Sequence, residues 1–309
     1  GVLYLNAVGG VLIGRMVRRE EGGAVYAGYR LWGSVGYIVV TLTTGLFLNP
    51  SGKLDRATLD RVFSVGPLLF FLIGLVGLAL PDVRRLSQAS GAVPKAPFPP
   101  NLRWFILAYF LYVFALYGAS NFLSIYMREV GGTPIWITGM FAGGVICEVM
   151  VMRLSGRFSD RYGRRPLLAL TFGLLPVRMM LYVLAANPPG VLLVQLLHGI
   201  NFGIMGAISV ALINDLATDQ TRGQAQARLS MATGLATAIA PILLGSVAEA
   251  AGLRGMFALA SGLALVAALV FLLRVEETHE DCRPLAGRGP EWLQPLLRFL
   301  DEPPTRTKV

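Results

Sequence analysis

Unbroken apolar runs, not alternating ones, organise this chain. Stretches 62–80, 104–127, 229–248 and 255–273 carry no charged residue, and each meets the roughly 20 residues that a helix needs to cross ~30 Å of hydrocarbon. Admitting isolated polar residues adds 32–48, 134–152, 167–186 and 190–214, with 2–14 as a piece too short to span. The pattern predicts an all-α integral membrane protein with eight complete transmembrane helices and a partial one. A membrane barrel would instead show alternating segments of about ten residues.

Composition supports this. Of 309 residues 54% are hydrophobic and 15% charged, against roughly 25% charged in soluble domains, and the mean hydropathy is +0.61. The cations then orient the helices. Counting Lys and Arg in alternate gaps, the set 15–21, 81–103, 153–165, 219–228 and 274–309 holds 20 of the 27, whereas 49–61, 128–133, 187–190 and 249–254 hold 5. Positive loops stay cytoplasmic, so the charged turn and the C-terminal tail are expected in the cytoplasm. The net charge of +9 is thereby a topology signal. Nucleic-acid binding would need a basic face interleaved with aromatics, and these cations cluster at helix ends.

Two cysteines, Cys147 in a span and Cys282 in the tail, exclude a disulfide framework. No GxSxG, HExxH or GxGxxG occurs, and the histidines are His198 and His279, so an enzyme is disfavoured and no cofactor or metal is expected. The run HEDC at 279–282 reads as a solvent-facing cluster.

A short repeat gives the helices a grouping. RLWGSVG at 30–36 and RLSMATG at 228–234 each open a span with Arg-Leu and place Gly six residues on. Two parallel halves in this register make 1–80 the remainder of an N-terminal six-helix half, its last two and a half helices. Residues 81–103, rich in proline, become a cytoplasmic linker, 104–273 the C-terminal half and 274–309 a cytoplasmic tail. The apolar start without Met then reads as truncation, with roughly 100 further N-terminal residues in the whole protein.

Between the second and third helices of the C-terminal half stands GRFSDRYGRR, residues 156–165. It resembles the cytoplasmic loop motif of the major facilitator superfamily, G-x-x-x-D-R-x-G-R-R/K, with Gly156, Asp160, Arg161, Gly163, Arg164 and Arg165 matching. The resemblance implies a conformational gate. The two glycines would allow close helix approach and a tight turn, and Asp160 would accept hydrogen bonds from a neighbouring helix N-terminus, biasing the outward-open state. The plainer alternative is that the arginines only anchor topology.

The ionisable residues inside the C-terminal spans are Glu148, Arg178 and His198, costly there and so functional candidates. They occupy three successive helices near the bilayer midplane, where such folds bind substrate. Together they resemble the proton-coupling residues of lactose permease-like symporters, and LHGINFG at 197–203 and RLWGSVGY at 30–37 resemble that group's phenylpropionate-permease branch. The similarity runs to about residue 275 and implies a substrate contact at Arg30. Two departures matter. Asn201 stands where the permeases carry a glutamate, so proton coupling either falls to Glu148 or is not made here. AVGGVLIG at 7–14 lacks the acid that pairs with sugar and arginine, so Arg30 favours an anionic cargo, to which Arg offers a bidentate fit.

Tyr117 and Asn121, four apart and so on one face, are further cavity candidates beside Asn201. Glu148 and Arg178 could equally form a structural ion pair, His198 could be a packing residue beside Gly199-x-x-x-Gly203, and Arg30 could snorkel. The sequence thus predicts a secondary transporter of a small organic, aromatic or aliphatic, carboxylate. It would work by alternating access with proton symport, as a monomer in the bacterial inner membrane. The alternatives are a sugar or nucleoside cargo, or a non-transporting membrane receptor or scaffold.

Overall fold

A computed structural model describes residues 99–218, 221–278 and 294–301, with isolated positions between 36 and 75. The two and a half helices expected over 1–80 therefore lie outside the described residues. The rest is all-helical. The elements are α1 (Pro100–Ser120), α2 (Leu123–Glu129), α3 (Pro134–Tyr162), α4 (Arg164–Leu184), α5 (Pro188–Leu196), α6 (His198–Leu216), α7 (Arg222–Arg274) and α8 (Gln294–Asp301). Five described segments are long and apolar enough to cross a membrane, with α5 and α6 joined as Pro188–Leu216. The 53-residue α7 is two helices in sequence, broken at Gly252, whose φ of 76° only glycine adopts readily. Among the described residues that gives six segments of crossing length.

Local sequence sets the starts. Prolines open α1, α3 and α5, where the missing N–H costs nothing. Asn187 caps α5 by accepting from the Gly190 N–H at 2.8 Å. The charged stretch 153–165, expected as a loop, is helical to Tyr162. The turn reduces to Gly163, with φ 98°, because Asp160 and Arg164 pair across it.

Between lipid-facing helices the hydrophobic effect supplies little attraction, so small residues and polar contacts set the packing. On α1, a Cβ at Gly118 would meet Leu244 and Ala240 of α7 at 2.5 and 2.9 Å. The tightest approach that matters for function is α6 on α3. A Cβ at Gly199 would lie 2.5 Å from the Cys147 carbonyl carbon and 2.6 Å from the Glu148 nitrogen, and one at Gly203 would lie 3.0 Å from the Glu148 oxygen. This glycine pair presses the two backbones together at the level of Glu148. Large aliphatic side chains such as Leu170, Val177, Leu193, Ile242 and Leu265 stay exposed on the outside, as a lipid-facing surface requires.

Candidate functional site

Buried polar residues of α1, α3, α4, α5 and α6 converge midway along the bundle. Close packing of α6 on α3 brings His198 Nε2 to 3.5 Å from Glu148 Oε2, both within the interior. One helical turn on, Asn201 Oδ1 accepts from Arg178 Nη1 at 3.3 Å. The arginine is wholly buried, and its Nη2 donates to Gln195 Oε1 at 2.9 Å and Tyr182 Oη at 3.2 Å. Tyr182 in turn donates to Gln195. Asn201 is held by donating to the Thr171 carbonyl at 3.1 Å and to Thr171 Oγ1 at 3.3 Å. Tyr112 of α1 closes the network on Thr171 and on the Asn201 carbonyl.

The geometry differs from a direct Glu148–Arg178 pair. The hydrogen bonds of Arg178 go to neutral oxygens, and α6 bridges the two charges, with His198 facing the acid and Asn201 the arginine three residues later. Helical spacing puts those two α6 residues on one face. Within this site two buried nitrogens, Arg178 Nε and His198 Nδ1, have no hydrogen-bond partner among the described residues. A buried cation whose hydrogen bonds, among the described residues, all go to neutral dipoles is costly.

Tyr117 reaches this site through aromatic contacts. Its ring meets Phe202 edge-on at 5.4 Å, and Phe202 stacks on His198 at 4.0 Å. Asn121 sits apart, exposed at the end of α1, with its amide donating back to the Tyr117 carbonyl at 2.8 Å. Arg30 lies outside the described residues. Sequence reasoning missed Gln195, Tyr182, Thr171 and Tyr112, although Tyr182 is one turn beyond Arg178 and Gln195 is the sole polar side chain in PPGVLLVQLL.

The motif residues form a second cluster at one end of the bundle. Gly156 is buried in α3, and Arg161 is exposed over the Tyr162 ring. Arg164 Nη1 pairs with Asp160 at 2.5 Å and bonds Ser159 Oγ at 2.8 Å, while its Nε donates to Asp215 of α6 at 3.1 Å. Arg165, fully buried, ties down the end of α7 and the tail helix by donating to the carbonyls of Leu272, Val275 and Leu300. At the N-terminus of α4 the acceptor is Glu277. Its carboxylate takes the Arg164 and Arg165 backbone N–H groups at 3.0 and 2.8 Å, an anion at the positive end of α4. Gly163 is required twice, by its φ and because a Cβ there would collide with that carboxylate.

A helical bundle of crossing length, with a polar cluster at mid-depth and a charged clasp at one end, defines the class: a polytopic membrane protein. Comparison with known proteins makes the assignment specific. The chain belongs to the Major Facilitator Superfamily, which it matches over residues 1–175 and 106–305. An uncharacterized MFS-type transporter of Mycobacterium tuberculosis is 27% identical over 258 residues, 73% of this chain and 60% of that protein. Maltose permease of Geobacillus stearothermophilus is 25% identical over 263 residues, 82% of this chain and 64% of the permease. The human organic anion transporter MFSD10 shares the fold with a TM-score of 0.63 at 18% identity, covering 86% of this chain and 67% of that one. The chain thus spans about three fifths of the length of the curated relatives it matches. Those relatives are transporters, not enzymes.

Proposed function

We propose that the chain belongs to a proton-coupled symporter that carries a small organic carboxylate by alternating access, as a monomer in a bacterial inner membrane with its charged clasp and C-terminus cytoplasmic. The observation that carries this reading is Arg178, fully buried, ligated by neutral oxygens and with a spare Nε–H. Gln195 and Tyr182 fix its fork, so a carboxylate meets a preorganised donor set. Asn201, Tyr117 and Arg30 complete the substrate contacts in this reading, with Asn121 at the rim.

Coupling follows from charge. Glu148 and His198 sit one helical turn from the arginine along α6. A substrate anion at Arg178 puts a second negative charge near Glu148, and uptake of a proton by the Glu148–His198 pair relieves the repulsion. Substrate and proton then cross together. Arg178 serves both ligands. At the cytoplasmic end the Asp160–Arg164–Asp215 clasp, with Gly156, Arg161, Gly163 and Arg165, stabilises one of the two alternating states.

A sugar is the second reading, favoured by the maltose permease relative and by the hydroxyl- and amide-rich surroundings of Arg178. Uptake into liposomes holding the full-length protein decides between them, with labelled 3-phenylpropionate, benzoate, maltose and uridine tested with and without an inward proton gradient. Gradient-driven carboxylate accumulation is expected. Maltose or uridine accumulation alone would replace the cargo, and no uptake of any would point to a receptor or scaffold.

A further inference from the structure

The outer face of α3 ends in a row of cations. At about 100° per residue, Glu148, Met152, Ser155 and Ser159 share the buried side of the helix, which meets α6 at Gly199 and Gly203. Arg153, Arg157 and Arg161 fall on the opposite side, and all three are exposed. None of them has an ion pair or a hydrogen bond among the described residues. Arg161 lies over the Tyr162 ring at 5.4 Å, and Asp160, the acid beside it in sequence, pairs with Arg164.

Helix length places this row at the membrane boundary. The 29 residues of α3 extend ~44 Å at 1.5 Å per residue, against ~30 Å of hydrocarbon. With the apolar stretch 134–152 in the hydrocarbon, residues 153–162 reach into the headgroup layer. On the same outer face Ile146, Met150, Leu154 and Phe158 are each at least half exposed. Ile146 to Leu154 is ~12 Å along the helix, most of the ~15 Å of hydrocarbon in one leaflet. Aliphatic surface followed by cations matches a phospholipid, acyl chain followed by phosphate. Successive arginines are ~6 Å apart along the axis, close enough for two guanidinium forks to take one phosphate.

We propose that this face of α3 is a binding site for an anionic phospholipid in the leaflet at the clasp end. The phosphate sits on Arg153 and Arg157, Arg161 adds charge, and an acyl chain lies along Leu154, Met150 and Ile146. Long aliphatic stems let the guanidinium groups stay at headgroup level. Each cation at an anionic surface adds about fivefold to the preference before screening. The site is independent of the cargo and of proton coupling.

The test places the full-length protein, in a background with Cys147→Ala and Cys282→Ser, in phosphatidylcholine nanodiscs with bimane on Leu154→Cys, a position 54% exposed. Bimane quenching is followed as brominated phosphatidylglycerol, or brominated phosphatidylcholine, replaces the host lipid. The anionic lipid is expected to reach half-maximal quenching at about one tenth of the mole fraction that the zwitterionic lipid needs. Arg153→Gln/Arg157→Gln/Arg161→Gln should bring the two lipids level. Arg153→Lys/Arg157→Lys/Arg161→Lys keeps every charge, and with it the topology, and should lower the preference about threefold through loss of the bidentate fork. The lysine variant decides alone if the glutamine variant fails to insert. Undiminished preference with lysine leaves a diffuse attraction and overturns the site. Equal quenching by both lipids in the parent, or a preference that survives the glutamine variant, also overturns it. Quenching by neither lipid does the same, because the face is then covered by the rest of the protein. Relief of quenching by inorganic phosphate at matched ionic strength would replace the lipid with a soluble anion.

Discussion

Gly199→Ala asks whether the approach of α6 to α3 builds the site. A Cβ there would stand 2.5 Å from the Cys147 carbonyl carbon and 2.6 Å from the Glu148 nitrogen, where uncompressed contacts need about 3.5–4.0 Å. Backbone atoms cannot rotate away, so the helices must part by about 1 Å. That costs about 1–3 kcal/mol of overpacking and widens the 3.5 Å gap between His198 and Glu148 to about 4.5 Å, beyond hydrogen-bond reach. Gly206→Ala on the same helix is the control, because its Cβ meets nothing within 4 Å. Both substitutions gain the same ~1 kcal/mol of helix propensity, so their difference isolates the contact. Thermal unfolding in nanodiscs should rank Gly199→Ala below Gly206→Ala by about 1–3 kcal/mol, and proton-driven uptake should fall in Gly199→Ala alone. Equal stability and equal uptake would refute the reasoning.

Other substitutions probe separate parts. Arg178→Gln should lower carboxylate uptake at least a hundredfold, and Arg178→Lys should restore only part of it because an ammonium lacks the bidentate fork; full activity in the glutamine variant would remove the anion site. Glu277→Gln keeps the shape of the α4 cap and removes its charge, so thermal unfolding should show a loss of about 1 kcal/mol; an unchanged midpoint would reduce Glu277 to a surface acid. Asp160→Asn should raise labelling of cysteines placed in the cavity from the clasp side while membrane insertion stays intact, and unchanged labelling would leave the motif a topology anchor.

The helices were legible because a charge-free run of about 20 residues has few other uses. The glycine pair 199 and 203 likewise announced a close helix contact that the structure contains. The end of α3 was not legible, since dense charge reads as a loop unless the i,i+4 pairing of Asp160 with Arg164 is weighed. Glu277 was hidden by distance, lying more than a hundred residues from the N–H groups it caps. The partners of Arg178 were missed for another reason. A search for ionisable residues inside spans passes over Gln195 and Tyr182, yet a buried guanidinium needs neutral oxygens around it as much as an opposite charge.

Proton coupling through Glu148 is the central claim, and one measurement reaches it most directly. Full-length protein carrying Glu148→Gln is placed in liposomes, and labelled 3-phenylpropionate is followed in two modes: accumulation driven by an inward proton gradient, and exchange at equal concentrations on both sides. Loss of accumulation with exchange retained is the predicted result, since the glutamine keeps the hydrogen-bonding shape beside His198 and cannot carry a proton. Accumulation that survives the substitution would contradict the account and leave the Glu148–His198 contact as interhelical glue.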